Sequence, residues 1–205
     1  MPGLTLQTDA FVLLKQPPAD RFQTFTVFSA DQGVLAVLQR LPKKNSAGAV
    51  ALDLFDEAAL LLESSNQGRT WFVREPRLLV RHDGIGRHYD SLRFASALAT
   101  LVARNPGPAE SRAPVAALLR AAFTAFAEDK RPDLVYFKSL YRFARDEGYP
   151  VKQDWLAGLP AARRAEAESA LGQPLAAGAA APAVLARLIR QLEDYLRTHT
   201  EILLE

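Results

Sequence analysis

The sequence predicts an α+β protein: an N-terminal OB-type β-barrel followed by an all-α helical domain. Two patterns argue for it, and the chain length, which fits one large domain or two small ones, allows it. Over residues 1–80, aromatic and β-branched side chains gather in five short runs separated by turn chemistry. From Asp90 onward the apolar spacing changes from alternation to about 3.6 residues, the period of a helix. The 205 residues suffice for two small cores, the first being the more marginal. The expected boundaries are a barrel at 1–81, a linker at 82–89 and helices at 90–205.

The five runs are Phe11–Leu14, Phe22–Phe28, Gly33–Leu41, Ala58–Leu62 and Thr70–Val73. Between them lie QPPAD at 16–20, DQG at 31–33, KKNSAG at 43–48 and SSNQG at 64–68, all rich in residues that favour turns. In the second run Phe22 and Phe28 fall on one face and Phe25 and Val27 on the other. A strand apolar on both faces suits a closed or well-covered sheet, and closure removes exposed edges. An SH3-like barrel would leave nearly the same pattern. Residues 47–57 would also suit a helical turn, given their alanines.

The helical part begins with the stripe Leu92, Ala95, Leu98, Ala99 and Val102, ended by Asn105-Pro-Gly-Pro108. A second helix is predicted from Pro114, with Leu118, Leu119, Ala122, Phe123 and Phe126 inward. Pro132 opens a third, whose apolar face carries Val135, Phe137, Leu140, Tyr141 and Ala144, with Gly148 as its left-handed stop. The last runs from Pro182 to Ile202 with Leu185, Leu188, Ile189, Leu192, Tyr195 and Leu196 on one stripe. Residues 175–182 read as a low-complexity connector.

Composition is that of an ordinary soluble globular protein, with 49% apolar and 23% charged residues. Cysteine is absent, which excludes disulfides, thiol nucleophiles and thiolate metal sites. No membrane segment or signal peptide is expected, so the protein is placed in the cytoplasm. Formal net charge is only +2, so any phosphate-binding cluster has to be local.

Catalytic motifs are missing. His82, His88 and Asp83 are the one group that suggests a metal, but their spacing matches no zinc motif, and incidental linker residues explain them more simply. Gly84-Ile-Gly86 reads as a turn, because the context of a dinucleotide fingerprint is lacking. Asp53, Asp56 and Glu57 read as a solvated loop. The chain is therefore expected to hold no metal or cofactor and not to be an enzyme.

Positive charge is more informative. Arg40, Lys43 and Lys44 fall in and after the third run, inside the stretch 32–52 that has no acidic residue. Arg69, Arg74, Arg77 and Arg81 track along and beyond the fifth run, opposed within that span only by Glu75. Strands brought side by side would make one phosphate-tracking surface, with Phe22, Phe25, Trp71 and Phe72 as base-stacking faces. In the third helix Lys138, Arg142 and Arg145 recur on one face beside Tyr141, a pattern fit for an acidic, hydrophobic peptide or for DNA phosphates.

Several stretches, taken in order, resemble the RecO family of recombination mediators. Asp9-Ala-Phe-Val-Leu-Leu14 is similar to its opening strand, and PADRFQTFTVFSADQG, ending at Gly33, to the Asp-Arg turn, strand and glycine that follow. PKKNSAGAV at 42–50 resembles its basic loop, Leu54-Phe55 its Pro-Phe pair, EGYP at 147–150 its helix exit, and the segment from Leu192 its closing helix. The four zinc-binding cysteines found in many members are missing after Pro150, as is the Lys-Ser element near the C-terminus. Residues 1–80 hold eight Lys and Arg against eight Asp and Glu, fewer net charges than a strong DNA binder would carry.

The resemblance implies a non-catalytic repair protein that binds single- and double-stranded DNA and anneals strands. It implies RecR as a partner in recombinase loading, the acidic tail of single-strand-binding protein as a second partner, and association with the nucleoid during repair. By match, DNA contact falls to Arg21, Arg40, Lys43 and Lys44; charge adds Arg69, Arg74 and Arg77. Tail docking falls to Lys138, Tyr141, Arg142 and Arg145. The alternatives are a protein-interaction module on the same fold with little DNA affinity, and a metal-dependent hydrolase using His82, His88 and Asp83.

Overall fold

The computed structural model describes residues 3–41, 50–64, 67–128, 130–175 and 180–204, which form an α+β protein: a closed five-stranded barrel, then helices. The strands are β1 (Leu4–Lys15), β2 (Phe22–Ser29), β3 (Gly33–Arg40), β4 (Glu57–Ser64) and β5 (Trp71–Val80). Around the barrel they run β1-β2-β3-β5-β4 and back to β1. Every pairing is antiparallel except that of β3 with β5. This order is that of an OB barrel and decides against the SH3-like alternative.

β1 is longer than its apolar run because it serves two neighbours. Leu4 to Phe11 pair with β4, and Ala10 to Lys15 pair with β2 across a bulge between Val12 and Leu14. Thr5, Gln7 and Asp9 point to solvent, while Thr8 and Ala10 are buried, so alternation hides the strand from a search for apolar clusters. Inside the barrel pack Ala10, Val12, Phe25, Val27, Val37, Leu52, Ala58, Leu60 and Leu62. Each large side chain among them contributes about 1.5–3 kcal/mol of burial.

Two expectations need correction here. Asp56 and Glu57 are not a solvated loop: Asp56 is 1% exposed and Glu57 is buried. Asp56 accepts from Arg81 through Nε (3.0 Å) and Nη2 (2.8 Å), and Arg81 Nη2 also donates to the Ala51 carbonyl at 2.7 Å. Arg81 therefore neutralises a buried carboxylate and ties the end of β5 to the residues before β4. It is no part of a phosphate track.

Contacts group the chain into two units, residues 1–82 with 106–116, and residues 83–105 with 117–205. In the first, Arg112 Nη1 donates to the Asp31 carbonyl at 3.0 Å, over the β2–β3 turn. Gly33 has φ +74 there, so the turn favours glycine for its backbone, and an added Cβ would press on the Arg112 side chain, 3.1 Å from Nε. In the stretch predicted as a linker, His82 is buried with Nδ1 2.9 Å from the Phe55 carbonyl and Ile85, in a 3-10 turn at Ile85–Arg87, is wholly inaccessible, while Asp83 and residues 86–89 are exposed.

The helices are α1 (Tyr89–Arg104), α2 (Ala109–Ala127), α3 (Pro132–Asp146), α4 (Ala161–Gly172) and α5 (Pro182–His199). α2 begins before Pro114, which lies inside it and leaves the Glu110 carbonyl without its usual donor. The α1 stripe is Ser91, Ala95, Leu98 and Val102, widened by Phe94 and Leu101; Leu92 sits off it and is 37% exposed. α3 ends as predicted, with Gly148 at φ +90, its N–H on the Arg145 carbonyl and the Tyr149 N–H on that of Ala144, both 3.0 Å. A π-helical turn at Lys152–Leu156 and α4 occupy the stretch where the sequence suggested no helix. α5 stops at His199, short of Ile202, and Tyr195 is half-exposed with its ring stacked on His199 at 4.9 Å, not core. No helix among the described residues is long and apolar enough to cross a membrane.

Candidate nucleic-acid interface

Register decides which barrel side chains meet. Thr24, Leu38, Phe72 and Glu63 are successive cross-strand neighbours on β2, β3, β5 and β4, and Phe22 lies opposite Arg40 in the flanking row. Phe25, Val37 and Trp71 form a separate row that faces the core. The outer row encloses a hollow of about 280 Å³, lined by Phe22, Leu38, Arg40, Glu63, Phe72, Val73 and Arg74. The rings of Phe22 and Phe72 meet edge to face, 5.5 Å apart, and both are half-exposed. Of the four aromatics expected to stack on bases, these two are partly exposed on the outer face. Phe25 is 1% exposed in the core and Trp71 packs against that core.

The cations separate into groups. Arg40 and Arg74 share the hollow; Arg40 is exposed with no carboxylate partner among the described residues, whereas Arg74 Nε donates to Glu63 Oε2. Arg21 is exposed beside them in sequence order of the ladder: its carbonyl accepts from Leu41 N–H at 2.8 Å, which fixes it at the Arg40 end of β2 and β3. Lys43 and Lys44 lie outside the described residues. Arg69 stands exposed in the β4–β5 turn, before Trp71, at the opposite end of the β3–β5 ladder from Arg40. Arg77 is exposed opposite Ala59, beyond a β5 irregularity, and does not line the hollow. Glu63 escaped notice in the sequence, since a single carboxylate in an alternating strand carries no signal until register places it next to Phe72.

The second unit has its own hollow, of about 390 Å³, between α2, α3 and the end of α4. Leu118, Ala122, Val135 and Leu171 supply an apolar lining, and Lys138, Tyr141, Arg142 and Arg145 all border it, so the structure does bring these four together. Their charge is largely engaged. Lys138 Nζ donates to the carbonyls of Leu171 (2.9 Å) and Gln173 (2.6 Å), closing the C-terminal end of α4. Burial pulls the Lys138 ammonium below its ordinary pKa and pushes the Tyr141 phenol up. Arg142 and Arg145 both bond Asp146, at 3.3 and 2.6 Å.

A third hollow, of about 590 Å³, sits at the starts of α1, α3 and α5, with Arg93 paired to Asp90 and Arg131 to Asp133. His88 is exposed, His82 is buried, and among the described residues no three His, Asp or Glu side chains converge as metal ligands. Set against protein-family models and against curated proteins, the chain finds no match.

Proposed function

We propose that the protein is a non-catalytic, RecO-like mediator that binds single-stranded DNA on the outer face of its barrel, in the cytoplasm. The observation that carries this is the barrel hollow: two half-exposed phenylalanines beside Arg40, with Arg21 at the same strand ends. Aromatic faces accept any base by stacking, at about 1–3 kcal/mol each, and guanidinium groups track the backbone. Annealing asks for nothing more than charge neutralisation and passing access to bases. Duplex binding, annealing and work alongside RecR follow from the family resemblance. The apolar hollow bordered by Lys138, Tyr141, Arg142 and Arg145 suits an acidic, hydrophobic peptide such as the tail of single-strand-binding protein.

The test is a fluorescence-anisotropy titration of single-stranded DNA across salt concentrations. With Arg21 and Arg40 on about two phosphates, and Arg74 held by Glu63, log K falls against log salt with a slope of about −1.4. Absence of binding at low salt would overturn the DNA reading and leave the alternative favoured by the second hollow, a protein-interaction module. Capture of an acidic tail peptide in the absence of DNA binding then supports that module.

A further inference from the structure

We infer that Glu63 reads the base held in the barrel hollow and selects bases with an exocyclic amine over thymine. This rests on the single-strand reading above. Glu63 and Phe72 are direct cross-strand partners on the same face, and such neighbours hold their Cβ atoms about 4.5–5.5 Å apart. A base stacked on the Phe72 ring therefore brings its edge to the Glu63 carboxylate. The hollow, at about 280 Å³, is at the small end of ligand sites, which start at about 300 Å³, so it takes one base and not two.

Arg74 Nε holds Oε2, and among the described residues the Glu63 carboxylate has no other hydrogen-bond partner, so Oε1, which lies beside Gly3, is left to accept from a ligand. The same ion pair compensates a negative charge that would otherwise repel a phosphate backbone. Arg40, opposite Phe22, remains for the phosphate.

An ionised carboxylate only accepts hydrogen bonds. Cytosine N4, adenine N6 and the N1–H and N2 amine of guanine all donate on the exposed edge of an unpaired base. Thymine offers a single N–H flanked by two carbonyl oxygens, whose lone pairs oppose the carboxylate. The hollow thus combines a sequence-blind platform with one discriminating acceptor.

Oligo-dC and oligo-dT of equal length isolate this effect, since both are weakly stacked pyrimidines. In anisotropy titrations of the full chain at low salt, the wild type binds oligo-dC about fivefold to tenfold tighter than oligo-dT. In Glu63→Gln the amide turns either its carbonyl or its amine toward the base, so the preference falls to about onefold, while affinity for both oligomers rises with the loss of a negative charge. Circular dichroism checks that the variant is folded; Glu63→Met, without a polar group, serves as a second variant. Equal binding of the two oligomers by the wild type, or a preference that survives both substitutions, overturns the inference and leaves single-strand binding standing. Failure of the wild type to bind either oligomer overturns both.

Discussion

The two hollows are built from the same ingredients, apolar side chains and basic residues, and differ in what the cations already hold. On the barrel, Arg40 is exposed without a carboxylate partner among the described residues, and one ion pair, Arg74 with Glu63, borders it. In the helical unit, Lys138 is committed to two carbonyls at the end of α4, and Arg142 and Arg145 converge on Asp146. Counting cations along the chain ranks the sites as equals. Partners rank them otherwise: a phosphate arriving at the barrel displaces water, whereas at α3 it would compete with intramolecular bonds.

Arg81 gives the sharpest test of that principle, and the largest effect. It belongs to the same basic run as Arg74 and Arg77 in the sequence, yet its partner is the buried Asp56. Arg81→Ala leaves that carboxylate uncompensated and lowers stability by about 3 kcal/mol, the low end for a broken buried pair because Arg81 itself reaches the surface. Urea denaturation reads the loss. The salt slope of single-stranded DNA binding stays as it was; a shallower slope would return Arg81 to the DNA track.

Next comes a pair of charge reversals. Arg40→Glu weakens single-stranded DNA binding about tenfold or more and flattens the salt slope by about one, with no shift in melting temperature. Arg142→Glu, at the other hollow, leaves DNA affinity unchanged and weakens capture of an acidic peptide. Equal losses of DNA affinity from both would erase the distinction between the hollows.

How far these sites were legible follows from where their information sits. Alternation of Phe22, Phe25 and Phe28 was enough to imply a closed sheet, and the i, i+3, i+4 stripes of α2 and α3, and of α5 apart from Tyr195, were enough to place their cores. Strand order was not, since β1 pairing on both edges and the parallel β3–β5 contact are long-range choices with no local signature. α4 was missed because only Ala167 and Ala170 are buried, so it lacks the large apolar residues that mark a stripe, although its alanines favour a helix. The site was half legible: Phe22, Arg40, Phe72 and Arg74 were named from composition, but only register separates them from Phe25 and Trp71 and adds Glu63.

Lys138 carries the smallest predicted effect, because two terms oppose each other. Its hydrogen bonds to the Leu171 and Gln173 carbonyls contribute about 0.5–1.5 kcal/mol each. Against them stands the cost of desolvating the ammonium, which lowers its pKa in the folded protein. A lysine that binds its proton less tightly when folded adds a destabilising contribution below its folded pKa, and that contribution is relieved as pH rises toward the unfolded value of about 10.5. Lys138→Met keeps the stem's packing and removes both terms, so at pH 7 it costs about 1 kcal/mol or less. Relative to this variant, the wild type gains stability as pH climbs through the alkaline range below 10.5. Melting curves of the two proteins from pH 7 to 10 check the sign. A wild-type advantage that shrinks over that range would mean that the α4 carbonyls, rather than burial, govern the ammonium, and that its charge is more tightly committed than its pKa indicates.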